Sequence, residues 1–183
     1  MCRAANVEVI HVRALYSDSN KKGLPGGDWG SWLQQFRALN PGKPTDITPS
    51  GEAFAQEQDG EKVFLKPEWD AFNGTDLHEY LQSKKIKRLL VGGLITSVCV
   101  QHTAHGAFAR GYQVQLVEDC CGDRSVERHH QAIALYGNYM YGLTDSASLA
   151  AEFTRKMRSR RRRRKRKRRN SSSKTGKPRS VQA

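Results

Sequence analysis

The segment Arg88-Leu89-Leu90-Val91-Gly92-Gly93 constrains the fold more than any other in this chain. Its apolar residues run on without polar alternation, the mark of a strand covered on both faces. A strand of that kind belongs to a parallel sheet, whose members are joined through helices. The next stretch supplies one: Ser97 to Arg110 has helical composition, and Gly111 is its C-terminal stop.

The rest of the chain fits the same alternation. Val7 to Arg13 is β-branched and alternating, and Lys62-Val63-Phe64-Leu65 is a second strand ending at Lys66-Pro67. Thr75 or Asp76 can cap a helix that runs to about Lys84. Tyr112 to Glu118 reads as a strand, Ser125 to Gly137 as a helix and Tyr139 to Leu143 as a short last strand. Ala147 to Arg158 reads as a final helix. Trp32, Leu33, Phe36 and Leu39 fit a short amphipathic helix between loop stretches 17–30 and 40–59. The expected fold is α/β, three-layer αβα and Rossmann-like, with a mainly parallel sheet. Sites in such folds form at the carboxyl edge of the sheet. Neither a G-x-G-x-x-G nor a G-x-x-x-x-G-K-[ST] loop is present, so no nucleotide site is expected.

Charge divides the chain. The 183 residues carry 31 Lys+Arg and 18 Asp+Glu, a net charge of +13. Residues 155–183 hold 16 of the basic residues and no acid, which leaves 1–154 with a net charge of −3. A uniformly basic protein is excluded. The expected organisation is a globular domain over 1–154 and a disordered Arg/Lys-rich tail over 155–183. Arg158 to Arg169 has eleven basic residues in twelve positions, which repel one another and offer nothing apolar to bury. The tail reads either as a nuclear signal or weak nonspecific nucleic-acid tether, or as an extension without function. No apolar run approaches the ~20 residues of a membrane span. Cys2, Cys99, Cys120 and Cys121 show no C-x-x-C spacing, and Met1 to Asn6 has no signal-peptide core. An intracellular, cytoplasmic protein is expected, or a nuclear one if the tail is a signal.

Chemistry concentrates after the buried strand. Cys99 falls at the start of a helix, whose positive end and unpaired N–H groups favour the thiolate and can hold an oxyanion. A cysteine there is equally well explained as a small buried hydrophobe. Lys66 closes its strand at the same edge and can support a thiolate by charge, although a lone strand-end lysine is commonly just solvated.

Taken together these residues resemble a family. Lys66-Pro67-Glu68-Trp69-Asp70-Ala71-Phe72-Asn73-Gly74-Thr75-Asp76-Leu77 is similar to the lysine segment K-x-x-x-S/D-A-F-x-G-T-x-L of isochorismatase-like cysteine hydrolases. Gly93 to Ala104 is similar to their nucleophile segment G-x-x-T-x-x-C-V-x-x-T-A. Ala107, Gly111-Tyr112, Val117 to Cys120 and Asp123 continue the match, which covers roughly residues 7–150. The resemblance implies an Asp–Lys–Cys triad with Cys99 as nucleophile and Lys66 as its lysine. It implies an oxyanion hole from the N–H groups of Ile95 and Cys99, and a cis peptide at Leu94–Ile95. The reaction implied is hydrolysis of an amide C–N bond, or of a vinyl ether, in a small molecule. No cofactor is implied, and a homo-oligomer is admitted. Trp29, Trp32 and Phe72 are candidates for a substrate pocket, or else core residues.

The chain departs from the family at its start. The family's first strand, which is central in the sheet order 3-2-1-4-5-6 and carries the triad aspartate, has no counterpart ahead of Val7. Its loss leaves Val7–Arg13 and Arg88–Gly93 without their shared neighbour. The sequence is expected to be either a truncated gene product or a degenerate, inactive member. Asp18, Asp28 and Asp46 lie in loops and do not substitute. Metal-binding members carry an Asp-x-His after the second strand; Ala14 to Asn20 has none, and His102, His105, His129 and His130 read as surface or packing residues, so no metal site is expected.

Overall fold

Two parallel sheets organise the chain. In the computed structural model, which describes residues 1–14, 56–67 and 69–174 with side chains through Lys165, strand β1 (Ile10–Ala14) pairs in parallel with β2 (Lys62–Lys66). Strands β3 (Arg88–Leu94), β4 (Gln113–Gly122) and β5 (Gly142–Thr144) form a second parallel sheet in that order. Helix α1 spans Leu77–Ser83, and a π-helical turn over Thr96–Val100 leads into α2, Gln101–Ala109. Helix α3 spans Val126–Tyr136 and α4 spans Ser146–Lys174. The α/β class with parallel strands and intervening helices stands as expected. The amphipathic helix expected around Trp32 and the loop aspartates lie outside the described residues.

Two compact units emerge: Glu8–Asp145, and Met1–Val7 together with Ser146–Ala183. In the first, the core gathers Leu77 and Leu81 of α1, Val100, Ala104 and Ala107 of the π turn and α2, and Val114 and Leu116 of β4. Fully burying such a leucine contributes about 1.5–3 kcal/mol. Ile10, Phe64, Leu89 and Val91 pack against this core from both sheets but are only partly buried.

That partial burial corrects one expectation. β3 has the sequence of a strand covered on both sides, yet none of its residues is buried, whereas β4 buries Val114, Leu116 and Val117. The cause is pairing. Among the described residues β3 pairs only with β4 and β1 only with β2, so each has an open edge. The apolar sequence of β3 is suited to a neighbour on that edge.

Smaller departures have local causes. β4 runs four residues past Glu118, because a register shift between Val91 and Gly93 lets Gly93 and Leu94 pair with Cys121 and Gly122. β5 starts at Gly142, not Tyr139, because Asn138 takes a left-handed φ of 60° and closes a turn through Asn138 N–H to Tyr141 O at 2.7 Å. β1 starts at Ile10 because a 3-10 turn, Arg3–Ala5, ends on Asn6 at φ 56°. Asp76 makes no side-chain cap; Thr75 Oγ1 instead accepts from Leu77 N–H at 3.3 Å. Ser125 caps α3, accepting from Arg128 N–H at 3.2 Å.

In the second unit, α4 continues through the basic run to Lys174. Arginine and lysine are good helix formers, and no glycine or proline interrupts them before Gly176. Leu149 and Phe153 are buried, but every side chain from Thr154 to Lys165 is exposed, so the basic stretch takes no part in a core. The domain boundary expected between 154 and 155 falls inside this helix. Among the described residues no helix is long and apolar enough to cross a membrane.

Gly93 has a φ of 129°, a region closed to L side chains, although a Cβ placed there meets nothing within 4 Å. Gly93→Ala is therefore expected to destabilise the protein by about 1–3 kcal/mol through backbone strain alone. Urea unfolding checks this; a stability equal to the parent's would show that space, not φ, governs the position.

Candidate active site

The carboxyl ends of β2 and β3 bring Lys66 and Cys99 together. Lys66 is the last residue of β2 and is 4% exposed. Its Nζ donates to Cys99 Sγ at 3.4 Å. A buried ammonium is costly unless it is paired, and two opposite charges ~4 Å apart attract by on the order of 4 kcal/mol at an effective dielectric of 20. The contact sets a buried amine directly beside the Cys99 thiol.

Cys99 sits in the π-helical turn. Val98 N–H and Val100 N–H both donate to Ile95 O, at 3.1 and 3.2 Å, and the second of these closes the wider five-residue loop. The peptide bond Leu94–Ile95 is cis. Thr96, 1% exposed, exchanges a hydrogen bond with His129 Nδ1 of α3 at 2.9 Å. Asp123 accepts from Ser97 N–H at 2.6 Å and from Arg124 N–H at 2.7 Å, and its side chain is fully buried. Burial works to raise the Asp123 carboxyl, but the hydrogen bonds from Ser97 and Arg124 and the Arg124 guanidinium outweigh it and hold the carboxyl below its ordinary value.

The two motif segments are also joined away from the cysteine. Ala71 N–H donates to Thr103 Oγ1 at 3.0 Å, and Thr103 Oγ1 donates to Trp69 O at 3.4 Å. Trp69 and His102 have ring centroids 5.2 Å apart. Thr75 Oγ1 donates to Ala71 O. Thr103 thus stitches the two segments together while Thr75 closes a turn within its own, roles that spacing alone does not disclose.

The remaining sequence candidates fall as follows. Phe72 is 5% exposed in the core, stacked on Tyr112 at 5.9 Å with the Arg110 guanidinium 4.8 Å from its ring. Trp29 and Trp32 lie outside the described residues. His102 and His130 are exposed, and His105 is exposed on α2. Two of them have partners at the site: His129 through Thr96 Oγ1, and His102 through Val98 O at 2.7 Å and the Trp69 ring. Cys121 is no rival to Cys99: burial pushes its thiol up to about 11. Sequence reasoning missed Asp123 and His129 as supports of the nucleophile segment. The only signal for Asp123 was its place at the end of the family match.

Comparison with known proteins decides the family. Residues 1–148 match the model of the Isochorismatase domain. The chain belongs to that family. It is similar to N-carbamoylsarcosine amidase of Arthrobacter sp, 32% identical over 67% of this chain and 46% of the amidase. Among solved structures it resembles an isochorismatase family protein from Desulfovibrio vulgaris, with TM-score 0.67 and 22% identity over 84% of this chain and 78% of that one. It also resembles the nicotinamidase PncA from Bacillus subtilis, with TM-score 0.61 and 19% identity over 79% of this chain and 78% of that one. The structural likenesses establish the isochorismatase fold. The chain spans about half the length of the first curated relatives it matches.

The depressed Asp123 carboxyl carries a pH signature. Its stabilising contribution is full above the unfolded aspartate value of ~3.9 and is lost as pH falls through the lower folded value. Asp123→Asn is expected to lower stability at neutral pH and to flatten the acid limb of the stability curve. Unfolding midpoints measured between pH 2 and 7 check this. An acid limb as steep as the parent's would place the titration elsewhere.

Proposed function

We propose that the chain is a cysteine hydrolase of a small-molecule amide, cleaving a C–N bond, with a vinyl ether as the less favoured substrate. The observation that carries this reading is Lys66 Nζ within 3.4 Å of Cys99 Sγ at the start of a helix. Similarity to an amidase favours the amide.

The Cys99 thiolate attacks the carbonyl carbon, and the carbonyl π pair moves to oxygen. The N–H groups of Ile95 and Cys99 hold that oxyanion. The tetrahedral intermediate collapses, the C–N bond breaks, and the leaving nitrogen takes a proton from Lys66. Water then attacks the thioester, returns a proton to the lysine and releases the acid with Cys99 regenerated. The family's triad aspartate has no assigned counterpart here. Lys66 is therefore the only proton carrier this reading names.

Cys99→Ala is expected to abolish both turnover and labelling by a thiol-directed activity probe. Lys66→Ala is expected to reduce kcat/KM by 10²-fold or more, about 2.7 kcal/mol. Hydrolysis assays on carbamoyl and nicotinamide-type amides check this. Undiminished turnover in Cys99→Ala would end the mechanism.

A second reading, that the chain is a catalytically inactive member tethered through its tail, is favoured by the exposure of every side chain from Arg158 to Lys165 on α4. A basic helix with no packed face suits phosphate contacts, which release counterions on binding. Binding to duplex nucleic acid measured by fluorescence anisotropy should then weaken steeply with salt and vanish when residues 155–183 are deleted. Absence of binding at low salt would remove this reading.

A further inference from the structure

The β4–α3 connection reaches the nucleophile segment in a way that the proposed chemistry does not use. The shifted register brings Cys121 and Gly122 beside Gly93 and Leu94. The approach is close: a Cβ on Gly122 would come within 2.8 Å of Leu94 Cδ2, and one on Gly92 within 3.1 Å of Cys120 O. The next residue is Asp123. Both its oxygens are engaged, one on Ser97 N–H at 2.6 Å and the other on Arg124 N–H at 2.7 Å.

Ser97 N–H belongs to the first turn of a helix, where N–H groups have no partner within the helix. It lies midway between Ile95 and Cys99, whose N–H groups the proposed function assigns to the oxyanion. A carboxylate at this place does not help a thiolate: it competes for the same positive helix end. Its gain is geometric. By occupying Ser97 N–H it fixes the turn from outside and keeps that donor from the reacting carbonyl.

We propose that Asp123 is a positioning residue, which locks the 94–100 segment through Ser97 N–H so that Cys99 and its neighbouring N–H groups are presented in one geometry. The role in presenting a nucleophile rests on the hydrolase reading; the locking of the segment does not. His129, through Thr96 Oγ1, braces the same turn from α3.

The test uses the full chain with Asp123→Ala and Asp123→Asn, read by amide hydrogen exchange in peptides covering residues 94–100 and, as a reference, 113–118 of β4. Asp123→Ala is expected to raise exchange in 94–100 at least tenfold while leaving 113–118 within twofold of the parent. Asp123→Asn, which keeps an acceptor oxygen, is expected to recover part of that protection. With a turned-over substrate, kcat should fall tenfold or more in Asp123→Ala while KM stays within threefold. Unchanged exchange in 94–100, or an equal rise in both segments, would overturn the proposal. Should Asp123→Ala not fold, the Asn variant alone decides between local and uniform exchange. A parent without turnover whose Cys99 is unreactive would sink the hydrolase reading and leave the exchange result to decide the lock.

Discussion

A buried lysine against a cysteine is the constraint on which the rest of the site depends. Lys66 is almost wholly removed from water, and its Nζ meets Cys99 Sγ. A buried amine needs polar partners, and Cys99 Sγ is one of them. The pair joins the end of one parallel sheet to the helix that follows a strand of the other. The Thr103 bonds to the Trp69–Ala71 backbone tie the same two segments a few residues further on. The nucleophile turn is thus held by the lysine segment from one direction and by Asp123 and His129 from another.

The sheets themselves are less complete than the site. β1 and β3 each pair on one edge among the described residues, and the apolar residues of β3 stay partly exposed. Backbone groups on a strand edge must find water or a partner, and an apolar strand at an edge gives up part of its burial. Within Glu8–Asp145 the buried core draws more on β4, α1, α2 and α3 than on β3.

Much of this was legible in the residues. The strand–helix alternation and the stop at Gly111 each follow from local chemistry, and each is seen. Lys66 and Cys99 were legible because two separated segments carry fixed spacings of unusual residues. Three things were not. The register shift in β4 depends on pairing partners that no local pattern encodes, so the strand was expected to end at Glu118. The exposure of β3 depends on which strands pair with it, whereas periodicity reports only what a strand is suited to. Asp123 acts through a backbone N–H at Ser97, a donor every residue type offers, so its partner cannot be read from sequence. The basic run was read as unpacked and its described side chains are exposed, yet the backbone there is helical because nothing in arginine or lysine opposes a helix.

The net charge of +13 bears on none of the chemistry, since it arises in residues 155–183. What the proposed chemistry requires is the Lys66 amine beside the Cys99 thiol. The most direct measurement is the second-order rate of Cys99 alkylation by iodoacetamide at neutral pH, in the parent and in Lys66→Met, with folding checked by thermal unfolding. At least tenfold slower alkylation is expected in the variant, because Cys99 Sγ loses the Lys66 amine 3.4 Å away. An equal rate in a folded Lys66→Met protein would contradict it.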